Sequence, residues 1–240
     1  MSIQGFEEWL ETPAGRYVLN WEQQKHDLLV SDIFGFNALQ LSLPNHDYLR
    51  ANRMPLRVNC ADERYGGATG VLADPHQLPF AANSIDLVVL PHALEFDENP
   101  HQVLREVERV LVPEGHVIVT GFNPYSLWGA RRKLSRLQSL PPWRGEFISV
   151  SRLKDWFSLL GFEMLAGSFG CYAPAVMQEK WLRRFLFMDS AGDRWWPIAG
   201  AVYVVQAVKR QQGMRLITPA WNDRKARAKA LVTVTQKVDQ

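Results

Sequence analysis

The segment from 72 to 124 constrains the fold more than any other part of the chain. It contains two short apolar runs, 85–90 and 117–120, separated by a segment with helical periodicity that begins at Asn99-Pro100. The two runs have the length of buried strands rather than of helices. Because strands that alternate with helical segments form parallel sheets with crossover helices, this segment predicts an α/β fold.

The remaining elements follow from periodicity and capping residues. A helix is predicted from 13 to about 33, because Thr12 is a good N-cap and Pro13 suits the first helical position. Its predicted buried face consists of Leu19, Leu28, Leu29 and Ile33. The helix after Asn99 is predicted to bury the stripe Val103, Leu104, Val107, Val110 and Leu111. Five further strands are predicted at 36–43, 56–60, 71–73, 162–169 and 201–208.

A set of short motifs accompanies these strands in a fixed order. They are Asp74, Leu78-Pro79-Phe80, Ile85-Asp86-Leu87-Val88, Glu108-Arg109-Val110-Leu111 and Pro113-Glu114-Gly115. Their order and spacing resemble those of the class I S-adenosylmethionine (SAM) dependent methyltransferases of the type 11 group, nearest to an uncharacterised bacterial branch. The resemblance implies a Rossmann-like fold with a mostly parallel seven-stranded sheet, an antiparallel hairpin at one edge and helices on both faces.

The resemblance also implies SAM as cofactor and the residues that contact it. In the family, a glycine-rich turn follows the first strand, an acidic residue after the second strand holds the ribose, and an aspartate after the third strand binds adenine. The corresponding positions in this chain are Gln40, Ser42, Leu43, Asn59, Asp74, Pro75, His76 and Pro91. The ribose position stays open between Asn59, Asp62 and Glu63.

The glycine-rich turn departs from the family pattern. Gln40-Leu41-Ser42-Leu43-Pro44 stands where the family has an acid and two glycines, and Pro44 has no backbone N–H to offer. Ser42 is expected to replace the first glycine only if its φ is negative. An enzyme predicts a cavity lined by Ser42, Asp74 and Pro91, whereas a protein without catalysis predicts that Leu43 and Pro44 fill that space.

The acceptor side offers fewer signals. His92 follows the fourth strand and is the candidate general base, because the pKa of histidine suits proton transfer near neutral pH. The alternative is a loop histidine whose hydrogen bonds are satisfied. Tyr125 and Trp128 are expected to line a substrate pocket, with core packing as the equal alternative. The pair Trp195-Trp196 is expected by default to be packed in the fold, with an apolar substrate site or contact with a membrane surface as the alternatives.

Charge is distributed unevenly along the chain. Residues 209–240 contain eight basic and two acidic residues, a net charge of +6, while residues 1–208 carry −4. The expected organisation is one methyltransferase-like domain (1–208) with an N-terminal helical extension (1–34), an irregular, lid-like insertion (171–197) and a basic, flexible tail (209–240). Because the body is acidic, a nucleic-acid partner is not expected.

No apolar run reaches the ~18–20 residues that span a bilayer, and the first residues lack the features of a signal peptide. The two cysteines, Cys60 and Cys171, have neither metal-binding nor redox spacing, so both are expected to be buried hydrophobes in a cytoplasmic protein. No set of histidines and acids has metal-ligand spacing, and no metal is expected.

These observations together predict a SAM-dependent methyltransferase acting on a small, partly apolar molecule. The main alternative is a binding or regulatory protein that keeps the fold without catalysis, and the lesser one is a nucleic-acid methyltransferase that uses the basic tail. The sequence leaves the oligomeric state open.

Overall fold

The computed structural model describes residues 5–61, 70–134, 141–175, 179–185 and 187–210. These residues form a single seven-stranded sheet flanked by helices. The strands are β1 (Asn37–Leu41), β2 (Leu56–Ala61), β3 (Val71–Leu72), β4 (Ile85–Pro91), β5 (Leu111–Phe122), β6 (Phe162–Gly170) and β7 (Val202–Lys209). All seven predicted strands are therefore present in the predicted order.

The strand order in the sheet is β3-β2-β1-β4-β5-β7-β6. The pairs from β3 to β5 are parallel, and β7 is antiparallel to both β5 and β6. The predicted Rossmann-like fold with an antiparallel edge hairpin is thus confirmed. The order reverses between β1 and β4, which makes their carboxyl ends the topological switch point of the sheet.

Each face of the sheet carries its own hydrophobic core, as expected from the alternation of side chains along a strand. In β1, Ala38 belongs to one core and Leu39 to the other. The helices are α1 (Phe6–Leu10), α2 (Pro13–Ser31), α3 (Pro100–Val110), α4 (Leu127–Leu134), α5 (Val150–Leu159), α6 (Glu179–Phe185) and α7 (Phe187–Trp195). Buried residues of α1 and α2 join the Ala38 core, whereas those of α3 and α5 join the Leu39 core.

The predicted buried face of α2 is only partly correct: Ile33 is buried, and Leu19 and Leu29 are half-buried against the same core. Leu28 is 66% exposed, whereas the buried residues of this helix include Ala14, Val18, Glu22 and His26. These four residues are spaced four apart and therefore share one side of the helix. Two ionisable side chains thus occupy the face that packs on the sheet.

The insertion between β6 and β7 is more regular than predicted. It contains α6, α7 and a 3₁₀ turn at Pro197–Ala199, instead of an irregular connection. Asp189 of α7 accepts hydrogen bonds from the Tyr17 hydroxyl of α2 and, at 2.9 Å, from the backbone N–H of Tyr172. These contacts attach the insertion to the domain.

The two cysteines are buried and free, as predicted. Burial raises the pKa of the Cys60 thiol to about 11, which keeps it protonated at neutral pH. Among the described residues, no helix is long and apolar enough to cross a membrane.

Trp128 is a core residue and does not line an open pocket. It is 1% exposed, and its indole N–H donates a 2.8 Å hydrogen bond to the carbonyl oxygen of Ala173. Its ring stacks on Phe122 and meets Trp9 edge-on, with centroids 5.9 and 6.0 Å away. The alternative of core packing is therefore the correct one for this residue.

We expect Trp128→Ala to lower the free energy of unfolding by about 3–5 kcal/mol, because it removes a buried ring and leaves the Ala173 carbonyl without a partner. Trp195→Ala is the matched control, since Trp195 is 69% exposed, and its effect should stay within about 0.5 kcal/mol. Chemical denaturation followed by circular dichroism measures both. Equal effects of the two substitutions would contradict this packing.

Candidate functional site

The backbone at the carboxyl end of β1 adopts a conformation that favours glycine. Ser42 has φ 81° and Leu43 has φ 48°, both in the left-handed region. The condition that Ser42 replaces the first glycine only with a negative φ is therefore not met: the turn has a glycine-type conformation with residues that carry Cβ atoms. Such strain is typical of functional sites and persists only where the surroundings enforce it.

The buried side chain of Gln40 stabilises this turn through hydrogen bonds. Its side chain is fully buried, and its amide nitrogen lies 3.2, 3.1 and 2.7 Å from the carbonyl oxygens of Ser42, Leu43 and His46. Its amide oxygen accepts a 2.9 Å hydrogen bond from the N–H of Tyr48. Only a side chain with both donors and an acceptor can make this set, so the glutamine suits a position where the family has an acid.

The turn also presents an unsatisfied group. The hydroxyl oxygen of Ser42 is buried and has no hydrogen-bond partner among the described residues. Leu43 and Pro44 are buried next to it, and the Leu43 side chain joins the core under α1 and α2. Because buried polar atoms are normally paired, the Ser42 hydroxyl is a candidate contact for a ligand at this edge.

Asp74 lies after β3 and forms a chain of acid, histidine and acid. Its carboxylate accepts hydrogen bonds of 2.8 Å from both the backbone N–H and the Nδ1 atom of His76. The Nε2 atom of His76 lies 2.8 Å from Oδ1 of Asp97, whose side chain is only 1% exposed. Asp97 Oδ2 is buried and has no partner among the described residues.

The hydrogen bonds and charges around Asp74 and His76 shift the pKa values of these two residues. The backbone N–H of His76, with the His76 ring, lowers the pKa of Asp74. Partial burial works against protonation of His76, but the hydrogen bonds and charges of Asp97 and Asp74 outweigh it and raise its pKa. Asp74 is therefore a stable carboxylate, and its side chain remains more than half exposed at the edge where a ligand would bind.

The other predicted cofactor residues have different positions. Asn59 lies within β2, paired with Gln40 of β1, two residues before that strand ends. Pro75 is half-buried beside Asp74, and Pro91 ends β4 in the interior. The alternative ribose ligands, Asp62 and Glu63, lie outside the described residues. The structure therefore places the Gln40 turn, Asp74 and Pro91 at one edge, the carboxyl edge of the sheet.

A fully buried ion cluster lies directly under this edge. His92, the residue after β4, is held between two carboxylates at 2.6 Å: Glu22 of α2 contacts its Nε2 atom and Glu95 its Nδ1 atom. Its backbone is also in the left-handed region, with φ 52°. We call Glu22, His92 and Glu95 the buried triad.

The triad continues in both directions through hydrogen bonds. The second oxygen of Glu22 accepts from the Tyr48 hydroxyl at 2.8 Å, and the N–H of Tyr48 donates to Gln40. The second oxygen of Glu95 accepts from the backbone N–H of Phe122, the last residue of β5. One continuous polar chain therefore connects the carboxyl ends of β1, β4 and β5.

This geometry does not support the predicted role of His92 as a general base. The side chain is fully buried, and neither ring nitrogen is free to take a proton from an acceptor. Burial alone would lower the pKa of His92, but the charges of Glu22 and Glu95 outweigh it and raise the pKa to about 10. The imidazolium holds two carboxylates together in the core.

A second buried histidine, His26, has a lowered pKa, in contrast to His92. His26 of α2 contacts the Thr120 hydroxyl at 2.7 Å, and burial lowers its pKa to about 3. It is therefore neutral at physiological pH, and the charge of this region resides in the buried triad. Tyr125, predicted to line a pocket, follows β5 with 71% of its surface exposed.

Aromatic rings pack against His92 of the triad. Phe6 of α1 lies 5.0 Å from both the His92 and the Phe96 rings, and Phe122 lies 4.6 Å from His92. Phe147 stacks on Phe122 at 5.0 Å. The space beyond the carboxyl end of β4 is therefore apolar and aromatic, with α1 packed into it. Among the described residues, no group of three or more ligating side chains could hold a metal ion.

Sequence reasoning missed Glu22, Glu95 and Asp97. The helical periodicity of α2 could have identified Glu22, because it lies on the same face as Ala14 and Val18. A charged side chain on such a buried face needs a partner of opposite charge. Glu95 stands three residues after His92, within reach of its ring in a tight turn. No sequence signal identified Asp97, which contacts a residue 21 positions away.

We expect Gln40→Glu to destabilise the fold by at least about 2 kcal/mol, because a buried carboxylate would then face the carbonyl oxygens of the Ser42 turn. Gln23→Glu is the matched control: Gln23 lies on the outer side of α2 and accepts from Arg50, so the new charge meets a cation. Urea denaturation at neutral pH compares the two variants. A Gln40→Glu protein as stable as the control would contradict the role of this amide.

The raised pKa of His92 predicts how stability depends on pH. Since the unfolded value is 6.5 and the folded one about 10, this contribution is complete below pH 6.5 and is lost as the pH rises toward 10. The slope should approach at most about 1.4 kcal/mol per pH unit. Denaturation at a series of pH values should show this loss in the wild type and in His101→Gln, but not in His92→Gln.

His92→Gln could fail to fold, so a direct titration of the ring complements that series. Nitrogen chemical shifts of the wild-type histidines should show one ring that remains doubly protonated well above pH 7. A His92 ring that loses its proton near pH 6.5 would contradict the charged triad.

Comparison with known proteins agrees with this geometry. Residues 34–119, which span β1 to the middle of β5, match the family described as "Methyltransferase domain". An uncharacterised protein, YafS of Escherichia coli strain K12, is 32% identical over 161 residues, which cover 67% of this chain and 66% of that protein. The demethylmenaquinone methyltransferase of Chlamydia pneumoniae is 29% identical over 99 residues, 40% of this chain and 41% of its own length.

The fold comparison extends over more of the chain. A SAM-dependent methyltransferase from Thermotoga maritima superimposes with a TM-score of 0.59 and 15% identity, covering 81% of this chain and 93% of its own. At this identity the match establishes the fold, and the sequence match of residues 34–119 identifies the family. Residues 34–119 therefore belong to the family described as "Methyltransferase domain", and they lie in a sheet that has the fold of a SAM-dependent methyltransferase.

Proposed function

We propose that this protein binds SAM at the carboxyl edge of the sheet and transfers its methyl group to a small, partly apolar molecule. The observation that carries the proposal is the strained turn at Ser42 and Leu43, which keeps a glycine-type backbone at the switch point without any glycine. A family in which this turn contacts the cofactor gives a reason for retaining the strain.

The residues present fit the cofactor at both ends of the proposed site. Asp74 offers an exposed carboxylate for the adenine amino group, and the buried Ser42 hydroxyl offers an unpaired polar atom on the methionine side. When bound, the cofactor supplies an activated methyl group on a positively charged sulfur. The protein then needs to provide proximity and alignment rather than strong chemical assistance.

The chain's own residues divide this work. Gln40 fixes the turn from inside the sheet, and the buried triad fixes the ends of β4 and β5 relative to α2. Both sets act on the backbone that would contact ligands, so they are positioning residues. His92 in this arrangement supports the site and leaves proton removal to the acceptor's own chemistry or to solvent.

The class of acceptor follows from the surroundings of the triad. Phe6, Phe96 and Phe122 make the region beyond β4 aromatic, so an acceptor that enters there would itself be apolar or aromatic. The relative from Chlamydia pneumoniae is named for demethylmenaquinone. Because α1 now packs into this region, we propose that it moves when the acceptor binds.

A second candidate is a protein that keeps the fold but does not transfer methyl groups. Pro44 removes one backbone N–H from the turn, and Leu43 with Pro44 is buried where the family has open glycine backbone. The two candidates differ in cofactor affinity, which makes binding the decisive measurement.

We expect calorimetric titration with SAM and with S-adenosylhomocysteine to show binding, and Asp74→Ala to weaken it by about 1–3 kcal/mol through a lost hydrogen bond to adenine. Asp155→Ala, which removes an exposed carboxylate from α5, should leave the affinity unchanged. Binding that Asp74→Ala does not alter would remove Asp74 from the site. A well-folded protein that binds neither compound at millimolar concentration would support the second candidate instead.

A further inference from the structure

Large apolar side chains project into solvent at one end of the molecule. Among the described residues after β5 and before β7, eight such side chains are more than half exposed, and five of them lie within seven residues of the end of β5 or the start of β7: Tyr125, Leu127, Trp195, Trp196 and Ile198. We call these five residues the apolar rim. Large exposed apolar patches mark interaction surfaces.

The rim residues lie in two segments, 125–127 and 195–198, and Asn123, the residue after β5, forms hydrogen bonds to both. Its amide nitrogen donates to the carbonyl oxygens of Ile198 at 2.8 Å and Gly200 at 2.9 Å. Its amide oxygen accepts a 3.0 Å hydrogen bond from the N–H of Tyr125. The rim is thus fixed at the carboxyl end of β5, on the same edge of the sheet as the Ser42 turn.

Two further hydrogen bonds attach the backbone near the rim to the domain. The Tyr172 hydroxyl donates to the carbonyl oxygen of Pro197 at 2.9 Å, next to Ile198. On the other side, Trp128 of α4 donates to Ala173, which follows Tyr172 in the chain. The exposed side chains are therefore presented by backbone that has well-defined hydrogen bonds, and their exposure is a property of the fold.

Positive charge accompanies the rim. Arg131 and Lys133 on α4 and Arg194 at the end of α7 are exposed. Residues 211–240 add six basic and two acidic residues to the same chain. A surface with tryptophan, tyrosine and aliphatic side chains beside lysine and arginine matches the chemistry of the bilayer interface, where aromatic rings lie at the level of the headgroups.

We propose that the apolar rim docks on an anionic membrane surface. Insertion of Trp195 and Trp196 would remove apolar area from water, and each nearby lysine or arginine adds attraction to acidic headgroups. Docking in this orientation directs the carboxyl edge of the sheet toward the bilayer, from which an apolar acceptor could enter. The proposal concerns binding to lipid and holds whether or not the protein transfers a methyl group.

The test is co-sedimentation of the full chain with vesicles of phosphatidylcholine alone and of phosphatidylcholine mixed with phosphatidylglycerol. We expect binding to the mixed vesicles, and a partition coefficient at least roughly tenfold lower for the double variant Trp195→Ser and Trp196→Ser. A variant with Lys133→Gln and Arg194→Gln should lose affinity for the mixed vesicles and become less sensitive to salt.

The matched control is the double variant Phe34→Ser and Phe36→Ser. These two side chains are 75% and 73% exposed but lie before β1, at the opposite edge of the sheet. The control keeps the basic C-terminal residues, as does the tryptophan variant, so a difference between them reports on the rim alone. Equal melting temperatures would show that both variants fold.

Two results would overturn the proposal. One is an absence of vesicle binding by the wild type, or binding that the tryptophan variant retains in full. The other is self-association that depends on Trp195 and Trp196 in sedimentation velocity without vesicle binding, which would assign the rim to a second copy of the chain. Neither result bears on SAM affinity, so failure here is distinguishable from failure of the proposed function.

Discussion

The site depends on one interaction, the contact of His92 with two carboxylates inside the protein. A buried charge is costly unless it is paired and hydrogen-bonded, and the triad meets that condition with two 2.6 Å contacts. Each of its three residues comes from a different part of the chain: α2, the end of β4 and the loop that follows. Removal of His92 would leave two carboxylates without their shared cation in the core, so the triad fixes how these elements meet.

The strained backbone at the edge is explained by what lies beneath it. Left-handed φ values at Ser42, Leu43 and His92 each cost free energy that the surroundings must offset. Gln40 offsets it at the turn through hydrogen bonds to its carbonyl groups, and the carboxylates offset it at His92. Tyr48 bonds to both systems, so the turn and the triad form one network whose parts stabilise each other.

The sequence predicted the strands well because apolar runs and their spacing are local properties, whereas the arrangement of the sheet and its antiparallel edge were implied by the family resemblance. It predicted the face of α2 only in part, because a count of apolar residues misses the buried pair Glu22 and His26, whose partners are distant in sequence. Trp128 was ambiguous for a similar reason, since only tertiary contacts decide whether an aromatic ring lines a pocket or a core. The candidate site was located by motif, but its supporting network requires three-dimensional information.

This network also explains how a glycine motif can be lost without loss of the turn. In a glycine-rich turn, the conformation is available because the residue has no Cβ, and little else is needed to hold it. Here Ser42 and Leu43 carry side chains, and the conformation is instead imposed by Gln40, which donates where an acid could only accept. Glutamine at position 40 therefore stabilises a turn in which position 42 is not glycine. A glutamate at position 40 would place a carboxylate against the same carbonyl oxygens and would lose this stabilisation.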